Sequence, residues 1–160
     1  MITLVHQFRL VTFHTEKTMH ESSLPSLWRR LQAGWWYLYG VSLCQLGLRT
    51  IDREVYRRAV QAFDRALAAW PDLALALYRC GLIRGRELGE YYAAIRDLEA
   101  ATRLRPDWPE PYLQRGLFHR FNHHNRAAIP ELTTYVRLAP AGFWRTEAER
   151  MLACIQAELE

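Results

Sequence analysis

Three stretches of this chain carry one arrangement: RAVQAFDRALAAWPD from residue 58, AAIRDLEAATRLRPD from 93 and AAIPELTTYVRLAPA from 127. In each, a small residue is followed four positions later by a large apolar one: Ala59 and Phe63, Ala94 and Leu98, Ala128 and Leu132. Residues four apart stand on one face of a helix. Eight residues further on, Pro71, Pro106 and Pro140 end the pattern, because proline cannot continue a helix. The prolines are 35 and 34 residues apart. A period of that length fits two helices and a turn. One such pair cannot bury its own apolar face, so neighbouring pairs must stack to make a core. The expected fold is therefore all-α, with seven or eight helices and no sheet beyond a short N-terminal piece.

The rest of the chain reads in the same terms. In SSLPSLWRRLQ, Ser22 or Ser23 can cap a helix, and Pro25 suits its first turn. Leu24, Leu27, Trp28 and Leu31 then mark one apolar face. The helical pattern runs to about Gly47, and LRTID is expected as a loop with Asp52 as N-cap of the next helix. Helices follow from Pro71 to Gly89, to Pro106, across PEPYLQRGLFHRFN, and to Pro140. A final helix over 143–158 places Trp144, Ala148, Met151, Leu152, Ile155 and Leu159 on one stripe, with Arg145, Glu149 and Glu158 outward. Residues 1–22 differ in character and are expected to form an arm. Ile2, Leu4, Phe8 and Leu10 alternate there, ahead of a polar run.

Composition excludes several classes. Half of the residues are hydrophobic, which is not a disordered composition. Lys17 is the only lysine beside twenty arginines, and the net charge is +4. Acidic residues are interspersed among the arginines, so no nucleic-acid-binding run forms. Cys44, Cys80 and Cys154 are far apart and odd in number, so neither a disulfide framework nor a zinc site is expected. Cys80 and Cys154 sit among apolar helical neighbours and are expected to be buried free thiols. That points to a reducing, cytoplasmic setting. No stretch reaches the roughly 20 apolar residues of a membrane span, and the first residues lack the features of a secretory signal.

The recurring pattern resembles the tetratricopeptide repeat: an aromatic, Leu-Gly and Tyr on the first helix, then Ala-x3-Phe and a later Pro. Trp36, Leu77 and Tyr112 take the aromatic place, and Gly40, Gly81 and Gly116 follow four residues later. Tyr39, Cys80 and Arg115 precede those glycines, and Ala66, Ala101 and Tyr135 follow the large residues of the second helices. From glycine to alanine the third unit keeps the family interval. The second has one extra residue and the first has seven, expected to lengthen the turn around GLRTID. The resemblance implies an α–α superhelix of three helix-turn-helix repeats, about 33–73, 74–108 and 109–141, within a domain spanning 23–160 and closed by the capping helix 143–158. The pentatricopeptide family, which reads RNA with helical pairs, is the rival. Three units of unequal length with this Ala/Phe/Pro signature argue against it.

Catalytic patterns are missing from the sequence: there is no phosphate loop, G-x-S-x-G or H-E-x-x-H. No enzyme activity, cofactor or metal is expected. FHRFNHHNR is the one exception to weigh. On a continuous helix, His119 and His123 would face one way, as a metal pair does. The alternative is a polar turn with Asn122 and Asn125 as caps. Glu87, next to Arg84 and Arg86, and the Asp64–Arg65 pair read as solvated surface charges.

In the family that this pattern resembles, the first helices line a concave groove that takes up a peptide or partner helix. Carried over, that groove is lined by Tyr37, Val41, Tyr78, Leu82, Leu113 and Leu117, with Arg79, Arg86, Gln114 and Arg120 as polar contacts. The implied function is a non-catalytic scaffold or adaptor whose partner is a protein segment with apolar anchors and some acidic groups. A subclass clamps a terminal carboxylate with Lys and Asn, and the repeats here hold no lysine. The alternative is a regulatory or accessory domain that self-associates through Trp28, Trp35 or Trp144, as a homo-oligomer.

Overall fold

Proline and glycine punctuation cuts the chain into the helices of the computed structural model, which describes residues 23–159. The arm expected over 1–22, with its capping Ser22, lies outside the described residues. Seven α-helices are described: α1 (Ser23–Thr50), α2 (Arg53–Ala69), α3 (Ala74–Ile83), α4 (Tyr91–Leu104), α5 (Pro109–Phe121), α6 (Asn125–Leu138) and α7 (Phe143–Leu159). No strand occurs among these residues. Each helix packs on the next in sequence, the pairs α1–α2, α3–α4 and α5–α6 most closely, with α7 laid on α6. This is an all-α repeat superhelix.

Close approach within each pair rests on glycine. A Cβ on Gly40 would come within 2.8 Å of the Phe63 ring, one on Gly81 within 2.7 Å of Leu98, and one on Gly116 within 2.7 Å of Leu132. Phe63, Leu98 and Leu132 are fully buried, as are Ala59, Ala94 and Ala128. Small residue and large residue thus interlock once per unit. The departure at Tyr135 is accommodated: the ring is buried beside Ala148 and Ile155 of α7.

The unequal units are resolved inside helices. The extra residue of the second unit is taken up by a π-helical turn, Arg84–Leu88, that continues α3. Such a bulge holds one residue more than an α-turn. Gly89, at φ 73°, then ends it in the left-handed region. The seven extra residues of the first unit do not lengthen a loop, contrary to expectation. They extend α1 and α2 by about two turns, and the connection is only Ile51 and Asp52. Gly47 does not end the helix, contrary to the sequence pattern; it repeats the role of Gly40 one heptad on, since a Cβ there would meet the Tyr56 ring at 2.7 Å. Asp52 caps α2 as expected, its Oδ1 accepting from the Glu54 N–H at 2.8 Å.

The thiols divide. Cys80 is fully buried, Cys44 half-buried and Cys154 exposed. The expectation for Cys154 is therefore corrected; α7 turns Ala148 and Ile155 inward and leaves Cys154 exposed beside Arg120 and Glu158. Burial, then the neighbouring Asp64 and Asp97 carboxylates, push the Cys80 thiol well up. Burial also raises that of Cys44. Titration with a chromogenic disulfide near pH 8 should show one fast thiol, one slow thiol, and a third that reacts only when the protein unfolds. Reaction of all three thiols in the native protein would contradict the packing of α3 on α2, which buries Cys80.

Candidate functional site

The expected groove residues fall on three helices: Tyr37 and Val41 on α1, Tyr78, Arg79 and Leu82 on α3 with Arg86 in its π-turn, and Leu113, Gln114, Leu117 and Arg120 on α5. They separate by depth. Tyr37, Val41, Tyr78, Leu82 and Leu117 are half-buried, each with surface left for contact. Leu113 and Gln114 are only 6% and 5% exposed, so they form the wall behind that surface. Leu113 belongs to the core that Leu132 and Ile155 share.

Ring contacts fix the aromatic members. Tyr37 lies against Phe63 with centroids 5.5 Å apart. Tyr78 lies 4.7 Å from Trp108, whose ring also carries the Arg105 guanidinium at 4.9 Å. Trp108 therefore covers the joint between the second and third units, as its place beside Pro106 suggests. Burial pushes the Tyr78 phenol up; the charges of Arg86 and Arg79 oppose this, and that of Glu110 reinforces it.

The cations also separate. Arg79 is exposed, with no ion pair or hydrogen bond among the described residues. Its charge acts on the Cys44 thiol of α1, opposing the effect of burial. Arg86 is exposed and donates to Gln114 Oε1 at 2.9 Å, joining α3 to α5. Arg86 lies within the π-turn, where the helix no longer keeps the regular 3.6-residue spacing from Arg79. Arg120 is turned elsewhere: its Nη2 lies 3.8 Å from Glu158 of α7. The structure thus brings Tyr78, Arg79, Leu82 and Arg86 together on one element and commits Arg120 to the capping helix.

Similarity of shape decides the fold. The first repeat domain of Spaghetti (RPAP3), bound to the HSP90 peptide SRMEEVD, superimposes with a TM-score of 0.68 at 18% identity, over 81% of this chain and 94% of that one. This chain has the tetratricopeptide-repeat fold. The Yersinia enterocolitica type III secretion chaperone SycD, in complex with a peptide of the translocator YopD, matches the repeat domain at a TM-score of 0.69 and 16% identity, over 79% and 94% of the two chains. The second repeat domain of human RPAP3, in complex with the HSP70 peptide SGPTIEEVD, gives 0.65 at 19% identity, over 82% and 98%. No protein-family model matches the sequence.

Two ionic clusters were missed in the sequence. Arg84 is not the solvated neighbour of Glu87 that its sequence position suggests. Instead it is largely buried, pairing with Asp97 of α4 and, at 3.1 Å, with Asp64 of α2. Arg115, the charged residue before Gly116, reaches Glu131 of α6 at 2.5 Å and Thr102 of α4 at 3.2 Å. Each cluster spans the joint between two units. The readable signal was the departure itself: an arginine at an apolar place of the pattern needs a buried acid. Arg65 is not free either; its guanidinium lies 4.5 Å over the Trp36 ring.

The histidine cluster folds as a turn. α5 ends at Phe121, and His123 has φ 58°, so His119 and His123 do not share a helical face. Neither asparagine caps with its side chain; Asn125 Nδ2 donates to Glu158 at 2.9 Å. Glu158, expected to point outward, therefore ties α7 back to this turn. Among the described residues no three His, Cys, Asp or Glu side chains are placed to hold a metal ion. Nor is any described helix long and apolar enough to cross a membrane.

Proposed function

We propose that this repeat domain is a non-catalytic adaptor that takes up an extended or helical protein segment along α1, α3 and α5. The observation that carries the reading is on α3. Arg79 and Arg86 are exposed there without an acidic partner, beside the half-buried Tyr78 and Leu82. Exposed guanidinium groups next to apolar recesses suit a segment with acidic groups and apolar anchors. Support in kind comes from the similar domains that were solved with acidic or translocator peptides. The only lysine, Lys17, precedes the repeats, so the acidic contacts fall to arginine, whose planar fork pairs two oxygens at once. The three free thiols suit a reducing compartment, the cytoplasm.

The test is charge reversal. Peptides selected from a random display library on the intact chain should be enriched in acidic and apolar residues. Arg79→Glu with Arg86→Glu should weaken such a peptide by roughly 1–3 kcal/mol per lost contact, with the loss shrinking at high salt. The melting temperature should hold, because exposed charges add little to stability. Tyr78→Ala should weaken binding with little salt dependence. Unchanged affinity in both variants would place the binding face elsewhere.

A further inference from the structure

The back of α1 is the unfinished end of the stack. In the second and third units, the places five residues before, one before and two after the repeat glycine turn toward the preceding pair. Cys80 and Ile83 are buried with Phe63 and Val60 of α2, and Phe118 is buried with Leu98 of α4. The same three places in α1 are Trp35, Tyr39 and Ser42, and no described residue covers them. The apolar surface continues along this side through Leu27, Trp28, Leu31 and Leu38. A terminal repeat ordinarily presents a polar outer face. Here Trp28 and Trp35 are 71% and 70% exposed, and the other four of these six large residues run from 47% (Tyr39) to 63% (Leu38).

We propose that this face pairs with the α1 of a second copy of the chain, antiparallel to it. Two observations choose that occupant. The first is extent. At roughly 150–250 Å² for a full aromatic side chain, the six residues offer on the order of 700 Å², close to the roughly 800 Å² per partner of a stable interface and above an ordinary monomer patch.

The second is symmetry. Trp28, Leu31, Trp35 and Leu38 follow a 3–4 spacing, the pattern of a coiled-coil seam. About a centre at residue 33 the pattern reads the same in both directions. Trp28 falls opposite Leu38, Leu31 opposite Trp35, and Leu27 opposite Tyr39. An isologous two-fold contact needs this self-complementarity, and each tryptophan meets a leucine. Charge agrees. α1 holds Arg29, Arg30 and Arg49 and no acid. A parallel pair would bring like charges level, whereas the antiparallel register sets Arg29 and Arg30 level with Tyr37 and Trp36 of the second copy.

The full chain in sedimentation equilibrium should show a monomer–dimer transition at micromolar concentration. Leu31→Glu with Trp35→Glu should raise the dissociation constant at least 30-fold while leaving the helical spectrum unchanged. Both side chains are exposed in the monomer, so the variant tests contact rather than folding. Spin labels introduced through a ketone-bearing residue test the register. A label at Gln32, near the centre, should report a short distance between copies. One at Gln45 should report on the order of 35 Å, from about 1.5 Å per residue on either side of the centre. Short distances at both sites would overturn the antiparallel arrangement. A chain that stays monomeric at 100 µM would overturn the pairing. So would one that dimerises only after residues 1–18 are removed, because its own N-terminal segment would then be the occupant. Vesicle binding by a persistent monomer would assign the face to lipid and overturn it as well.

Discussion

Removing residues 143–160 should abolish cooperative unfolding and leave an aggregating chain. Ala148 and Ile155 of α7 are fully buried, and Met151 and Leu152 are half-buried, against the core formed by Leu113, Leu132 and Tyr135. Burying one such side chain contributes roughly 1.5–3 kcal/mol. Several together are comparable with the whole stability of a small domain, about 5–15 kcal/mol. The deletion also removes Glu158, which holds Asn125 and Arg120. A milder variant isolates the packing: Ile155→Ala should cost about 2–5 kcal/mol through the lost side chain and the cavity it leaves. A truncated chain that stays soluble and melts at the same temperature would show that α7 is dispensable.

Arg84→Leu should destabilise the fold strongly. The Arg84 and Asp97 side chains are 19% and 18% exposed, so Asp97 would be left with a desolvated charge and no counter-ion. Breaking a buried pair from one side costs about 3–5 kcal/mol. Arg84→Leu combined with Asp97→Leu should recover much of that loss, since an apolar pair of similar volume replaces an ionic one at little cost. Chemical denaturation of the two variants beside the parent chain measures both effects. A loss below about 1 kcal/mol for Arg84→Leu alone would mean that water screens the pair, as at an ordinary surface salt bridge.

The fold was legible because one relation, a small residue four before a large one with a proline beyond, repeats at a fixed period. The pairing of Gly40 with Phe63, Gly81 with Leu98 and Gly116 with Leu132 follows from it. Glycine is not punctuation everywhere in this chain. At Gly89 it does end a helix, in a left-handed conformation. At Gly47 it admits the Tyr56 ring, and the helix runs on. A sequence shows that a glycine is present; which of its two uses applies depends on what packs against it. The π-turn was hidden for a related reason: one surplus residue announces itself only as an interval of 13 where the third unit has 12.

The candidate site was legible in part. Helix position alone placed Tyr78, Arg79, Leu82 and Arg86 on α3. It could not tell that Arg120 turns to Glu158, because that contact depends on where α7 ends. Nor could it tell that Gln114 sits behind Arg86 rather than beside it. Depth along a helix face is set by the neighbouring helix, and repeat spacing carries no record of that distance.

Direct mapping of the contact tests the adaptor reading best. A library-selected peptide carrying a photo-reactive group near its acidic residues, bound to the full chain and irradiated, should cross-link to α1, α3 and α5, with the densest adducts around Tyr78, Leu82 and Arg86. Adducts confined to α2, α4 and α6, or to Trp28 and Trp35 at the open end, would contradict it.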